Sequence, residues 1–320
     1  MPLQFDLSYD ALLTYGGTNP RPDDFDEFWD KALAELATVD SQVEIRPAAF
    51  HAPYARCEHL YFTGTGGTRV HAKLVRPLET SAPGPAVLMY HGYGGGTPAW
   101  VDLLPYAAAG YTVAQLDVRG QVGLADAEQP GGGFGPRHFV VDGLDDSSER
   151  FFYRHVFLDA RRLADVVLGL DEVDPSRVAA AGHSQGGALS LVAAALEPRI
   201  SLVATVYPFL TDYRRAYDLS LDDSPYNEIN QWFRKRDPRH LREDEVFTRL
   251  GYIDIQHLAP RITARVDFTT AFEDTVCPPS TQFATYNKLT GEKALRIYAD
   301  HEHEDLPGLA DLHFEVLGTV

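Results

Sequence analysis

Cysteine is nearly absent from this chain. Cys57 and Cys277 are the two in 320 residues, too few for the bridge framework that staples small secreted domains. No apolar run approaches the ~20 residues needed to cross a bilayer. Residues 1–15 hold no basic segment followed by an apolar stretch, so no secretory leader is expected and a cytoplasmic location is the default expectation. Positive charge is also short: 28 Lys and Arg stand against 46 Asp and Glu, for a formal net charge of −18. Such a surface repels phosphate backbones and anionic lipid, so neither nucleic acid nor membrane is an expected partner. Internal repeats and low-complexity tracts are missing too. What remains is ordinary globular material, 44% hydrophobic and 23% charged, long enough for one α/β domain with excursions from a single sheet.

The order of patterns along the chain gives the fold class. Residues 23–37 read as an amphipathic helix with acidic residues in its first turn and Phe25, Phe28, Trp29, Leu33 and Leu36 near one face. Residues 43–76 hold strand-like pieces broken by the turn signals at 64–67, as expected of antiparallel strands at a sheet edge. From residue 86 the strands become continuous apolar runs, at 86–90, 111–116, 177–181, 202–206, 265–271 and 294–298. Runs of this kind belong to strands buried on both faces. Helical patterns at 99–109, 155–170, 185–196 and 280–289 separate them, and 311–317 closes the chain as a last helix. Strands alternating with helices predict a mostly parallel central sheet flanked by helices, the α/β-hydrolase arrangement. The expected organisation is a single domain over 1–320, with an N-terminal helical and antiparallel extension over about 1–80. Two segments break the alternation: 120–151, Gly-rich and acidic, reads as a surface excursion, and 209–250 reads as a cap-like insertion.

The central motif is Gly182-His183-Ser184-Gln185-Gly186-Gly187. It fits G-x-S-x-G and lies between an apolar strand and a helix of small residues, where a sharp turn would raise the Ser184 hydroxyl above the sheet edge. Glycine is needed on both sides because the backbone is crowded there. His183 is adjacent but points elsewhere on such a turn, so it is not the expected base. A serine hydroxyl needs an imidazole to take its proton, and the imidazole needs a carboxylate on its other nitrogen. In this fold these follow in chain order. Asp274 comes after the strand at 265–271, where Glu273 competes with it. Asp274 is preferred because Thr275 to Pro279 form a stiff loop able to hold it. His301 and His303 both follow the last strand, and position alone favours His303 only slightly. His91-Gly92-Tyr93-Gly94-Gly95-Gly96 follows the strand at 86–90, where the second oxyanion donor belongs. Tyr93 is the loop donor expected there, and the amide of Gln185, the residue after the nucleophile, is the other. A phosphate-cradling role for this glycine loop fails, since the lysine of a Walker loop and the third glycine of a dinucleotide fingerprint are both missing.

Together these residues resemble carbohydrate esterase family 7, the acetyl xylan esterases and cephalosporin C deacetylases, over nearly the whole chain. The segment 21–29 is similar to the family's N-terminal stretch, His91 to Gly95 to its oxyanion loop, and Arg119-Gly120-Gln121 to its RGQ motif. Gly182 to Gly187 resembles its GxSQGG elbow, Asp274 to Ser280 its D-x-x-C-P-P-S run, and His303-Glu304 its HE pair. The chain departs at Val122, where the family commonly has glycine or another small residue. The resemblance implies a catalytic triad of Ser184, Asp274 and His303, with the family's spacing selecting His303 over His301. It implies that the Tyr93 and Gln185 amides form the oxyanion hole. Arg119 and Gln121, with Glu304, are expected to brace the active-site loops as a supporting network. The resemblance also implies a small acetylated substrate, no metal or other cofactor, and a homo-oligomer, commonly a hexamer. The expected reaction is removal of acetyl groups from small acetylated sugars or related esters through an acyl-enzyme. The alternatives are a broader esterase or peptidase of the same fold, an acyltransferase or perhydrolase using the same intermediate, and a catalytically silent binding protein.

Overall fold

The computed structural model describes residues 5–125, 138–221 and 224–320. Nine strands form one sheet: β1 (Glu44–Pro47), β2 (Ala55–Thr63), β3 (Arg69–Pro77), β4 (Gly84–Tyr90), β5 (Thr112–Asp117), β6 (Val173–His183), β7 (Ile200–Val206), β8 (Arg265–Ala271) and β9 (Lys293–Tyr298). Their spatial order is β1-β2-β3-β5-β4-β6-β7-β8-β9. The first three strands run antiparallel to their neighbours, and β5 through β9 are all parallel. This is a mixed sheet of the α/β-hydrolase kind, with the antiparallel extension at one edge, as the strand pattern predicted.

The helices are α1 (Tyr9–Leu12), α2 (Phe25–Thr38), α3 (Trp100–Ala108), α4 (Phe152–Leu168), α5 (Gln185–Leu196), α6 (Tyr213–Leu219), α7 (Asn227–Arg236), α8 (Glu243–Leu250), α9 (Pro279–Tyr286) and α10 (Leu309–Leu317). The period of two along β4 divides the core. Ala86, Leu88 and Tyr90 face one side with α2, α4 and α5, while Val87 and Met89 face the other with Leu103 and Leu104 of α3 and Leu317 of α10. Every residue of α5 is buried. That explains its run of small apolar residues: a helix packed beneath the centre of the sheet can carry no polar stripe.

The segment 120–151 behaves differently from the surface excursion its glycines and acids suggested. Residues 126–137 lie outside the described residues, but Phe139, Val140, Val141 and Leu144 are buried in the main core. Four apolar side chains are enough to anchor a segment whose average composition is polar. The segment 209–250 carries α6, α7 and α8, whose inward aromatic residues Tyr213, Trp232, Phe233 and Phe247 join the same core. On either side of it, β7 and β8 pair directly, with Val206 opposite Thr269. The insertion therefore leaves the sheet at the carboxyl end of β7, the edge where sites form in folds of this type, and the chain re-enters at the amino end of β8.

Candidate active site

Four loops meet at that edge. Ser184 sits between β6 and α5 with φ +56° and ψ −124°, a conformation that costs a non-glycine residue on the order of 1–3 kcal/mol. The surroundings enforce it. The Ser184 amide donates to the Val206 carbonyl at 3.0 Å, and its own carbonyl accepts from Phe209 at 3.1 Å. A Cβ on Gly182 would lie 2.4 Å from the Gly186 backbone, and one on Gly186 would lie 2.1 Å from the Tyr90 carbonyl oxygen. Both flanking glycines are thus required by close backbone contact.

His303, in the loop after β9, and Asp274, in the loop after β8, are brought together. Their Nδ1 and Oδ2 atoms stand 2.8 Å apart. Asp274 is fully buried, and its other oxygen accepts from the amides of Val276 at 2.9 Å and Cys277 at 2.7 Å. With Oδ1 taken up by those two amides, Oδ2 accepts from His303, whose ring then carries its proton on Nδ1 and keeps the lone pair on Nε2. Ser184 and His303 line the same cavity of about 490 Å³, with Gly92, Tyr93, Tyr207, Pro225 and Val276 among its other walls. The competing residues have other duties. Glu273 is half-exposed, with its amide on the His301 carbonyl at 3.0 Å. The His301 ring packs edge-on against Tyr298.

The glycine loop after β4 is fastened by its first residue. His91 donates from Nδ1 to the Gly92 carbonyl at 2.8 Å and accepts at Nε2 from the Val118 amide at 3.0 Å. Those partners define a neutral ring, and burial keeps its pKa low. Gln121 then supports the loop directly. Its side-chain carbonyl accepts from the Gly94 amide at 3.0 Å, and its amide group pairs with that of Gln185 at 2.8 Å. The Gln185 side chain is held in turn by the Tyr153 hydroxyl at 2.8 Å. Arg119 turns the other way. Its guanidinium grips Asp159 of α4 with two contacts of 2.6 Å and reaches the turn at Thr65 and Thr68. It thus braces the core behind the site rather than the active-site loops, because the side chains of residues 119 and 121 leave the chain in different directions. Glu304 steadies the histidine loop, with its carboxylate on the Glu302 amide and its carbonyl on the Tyr207 hydroxyl. At Val122 the chain passes close to the glycine loop, since a Cβ on Gly96 would lie 2.5 Å from the Val122 carbonyl oxygen.

His183 does not join the pair. Its ring is exposed within the concave edge and lines both the cavity shared by Ser184 and His303 and a neighbouring one of about 790 Å³. Two further residues border the pair. The Tyr207 ring lies 4.4 Å from the His303 ring; its place at the end of β7 was the available signal. The Cys277 thiol approaches Ser184, and burial together with the Asp274 charge pushes its pKa well up. It therefore stays a thiol and does not compete as a nucleophile. Asp274, Cys277 and His303 bring potential metal-ligand atoms within 4.8 Å of one another. That donor set does not fit an ion, because the carboxylate is already spent on the imidazole and two amides, and the thiol holds its proton.

The chain is similar to known proteins along nearly its whole length. The family model described as acetyl xylan esterase (AXE1) matches residues 1–317. Acetyl xylan esterase 1 from Thermoanaerobacterium sp. JW/SL YS485 is 45% identical and superposes with a TM-score of 0.96 over 98% of both chains. The acetyl xylan esterase from Paenibacillus sp. R4 is 35% identical, with a TM-score of 0.92 over 98% of this chain and 99% of that one. The acetyl esterase Axe7A of Xylanibacter ruminicola is 32% identical over 166 residues, 52% of this chain. The chain spans about a third of the length of that relative, 36%.

Proposed function

Since the chain belongs to the acetyl xylan esterase family, a family of carboxylic ester hydrolases, we propose that it removes acetyl groups from small acetylated sugars by a two-step acyl transfer. Ser184 Oγ attacks the acetyl carbonyl carbon while His303 Nε2 takes its proton. The resulting imidazolium is stabilised by Asp274 through the Nδ1–H. Negative charge develops on the carbonyl oxygen, where the amides of Tyr93 and Gln185 receive it. The tetrahedral intermediate collapses, His303 returns the proton to the sugar oxygen, and the alcohol leaves. Water then attacks the acetyl-enzyme, His303 takes its proton, and acetate departs as Ser184 regains its hydrogen.

The observation that carries this reading is the Asp274–His303 hydrogen bond of 2.8 Å opening on the cavity that Ser184 lines. The acidic surface fits a neutral substrate better than an anionic one, since a net charge of −18 repels anions at a distance. A panel of aryl acetates, aryl butyrates, acetylated xylosides and a peptide anilide tests the proposal. Acetyl esters are expected to exceed butyryl esters in kcat/KM by on the order of ten-fold or more, the scale at which a pocket tells methylenes apart. Acetylated xylosides are expected to turn over, and the anilide is not. Equal or faster cleavage of butyrates, or of the anilide, would replace the acetyl esterase with a broader hydrolase.

A further inference from the structure

The Tyr93 amide belongs to the peptide that joins Gly92 to Tyr93, whose carbonyl, that of Gly92, accepts from His91 Nδ1 at 2.8 Å and from the Gly95 amide at 3.1 Å. Those bonds hold the Gly92 end of the plane, while Gly92 and Gly94, the latter with φ +66°, leave the Tyr93 end with little local restraint. His91 fastens the loop before it and Gln121 fastens it after. The remaining hold comes from outside the sheet. The Tyr93 hydroxyl donates to Glu228 Oε1 of α7, while Glu228 Oε2 accepts from the Val140 amide at 2.8 Å and the Val141 amide adds a further bond. The Tyr93 ring is gripped edge-on by Phe139 at 5.7 Å and Phe209 at 5.8 Å. One carboxyl therefore joins three pieces of chain far apart in sequence: the glycine loop, the anchored part of the 120–151 segment, and the 209–250 insertion.

This carboxyl is costly to keep. Glu228 is 6% exposed, and among the described residues it forms no ion pair with lysine or arginine. Burial pushes its pKa up to about 8 in spite of the donors around it. Burial without a cation disfavours the charged carboxyl, and the Tyr93 hydroxyl with the Val140 and Val141 amides only partly offsets this. A glutamine or an apolar residue would fill the space at lower cost, so the acid points to a requirement beyond packing.

We infer that Glu228 is a positioning residue for the oxyanion hole. It acts through the Tyr93 phenol, so that α7 and the 138–142 segment set the direction of the Tyr93 amide. The inference rests on the proposed role of that amide. Without the tether the Gly92 carbonyl and the Gly94 amide stay held, but the Tyr93 end of the peptide can shift from the orientation that meets the developing charge, while the ground-state ester, which makes little demand on the amide, binds as before. The loss thus belongs in kcat rather than KM.

The test is a double-mutant cycle on an aryl acetate, with melting temperatures measured alongside. Tyr93→Phe keeps the main-chain amide and removes one oxygen. Glu228→Ala removes the acceptor. Each is expected to lower kcat by about ten-fold or more, part of the 10²–10³ that one oxyanion donor supplies, with KM changed by less than about three-fold. The double variant is expected to fall no further than the worse single one, because both changes cut the same tether. Wild-type kcat in Tyr93→Phe, or losses that multiply in the double variant, would overturn the inference. If Glu228→Ala proves unstable, Tyr93→Phe decides alone. Ser184→Ala, run beside them, separates the two levels: activity retained there removes the proposed reaction itself, whereas an inactive Ser184→Ala with an additive cycle removes only the tether.

Discussion

Ser184→Ala is expected to lower kcat on acetyl esters by on the order of 10⁵-fold or more while the melting temperature stays within a few degrees of the parent. The size follows from the chemistry. The hydroxyl oxygen is the atom that forms the acyl bond, and the residual rate comes only from binding and the oxyanion hole acting on water, as when a nucleophile is removed from other triads. Stability is spared because alanine keeps the Cβ already accommodated at φ +56°. The backbone bonds from residue 184 to Val206 and Phe209 involve no side-chain atom. A second change, His303→Ala, is expected to add little on top of Ser184→Ala, since the base has no work without the hydroxyl. Paired initial-rate and thermal-melt measurements check both expectations. A large drop in melting temperature would mean that lost activity reports unfolding.

Asp274→Asn is expected to cost about 10⁴ in kcat with the fold intact, by analogy with the serine protease case. An asparagine carbonyl can still accept from the Val276 and Cys277 amides, which now bind Oδ1 at 2.9 Å and 2.7 Å. That pins its NH₂ group toward His303, where an acceptor stood before. The imidazole must then offer a lone pair on Nδ1 and carry its proton on Nε2, the tautomer that cannot take the proton from Ser184. Glu273→Gln, on the half-exposed neighbour, is expected to stay within a few-fold of the parent. A harmless Asp274→Asn paired with a crippled Glu273→Gln would reverse the assignment of the acid.

The parts of this site legible in the sequence are those whose demands are local. The elbow was readable because crowding at one turn forces glycine at 182 and 186, within two residues of the serine. The parallel strands were readable because burial on both faces leaves nothing polar in runs such as 86–90. Asp274 could be told from Glu273 by the stiff Thr275 to Pro279 loop, whose amides do hold it. What escaped depends on side chains reaching across the fold. Glu228 meets Tyr93 over a separation of 135 residues, and one acid in a polar insertion carries no mark of where its side chain ends. Arg119 and Gln121 read as one motif, yet Arg119 serves α4 and Gln121 serves the glycine loop, a division made by the direction of the chain and not by residue type. The 120–151 segment misled through averaging. Its glycines and acids hide Phe139, Val140, Val141 and Leu144, which are few but buried.

The whole account depends on a serine made nucleophilic by its neighbours. The most direct measurement is mass spectrometry of the protein after treatment with a fluorophosphonate, which bonds irreversibly to an activated serine oxygen. One adduct per chain is expected, on the peptide that contains Ser184, formed at a rate that falls steeply in His303→Ala. An unmodified Ser184, or an adduct on another residue that accompanies the loss of esterase activity, would contradict it.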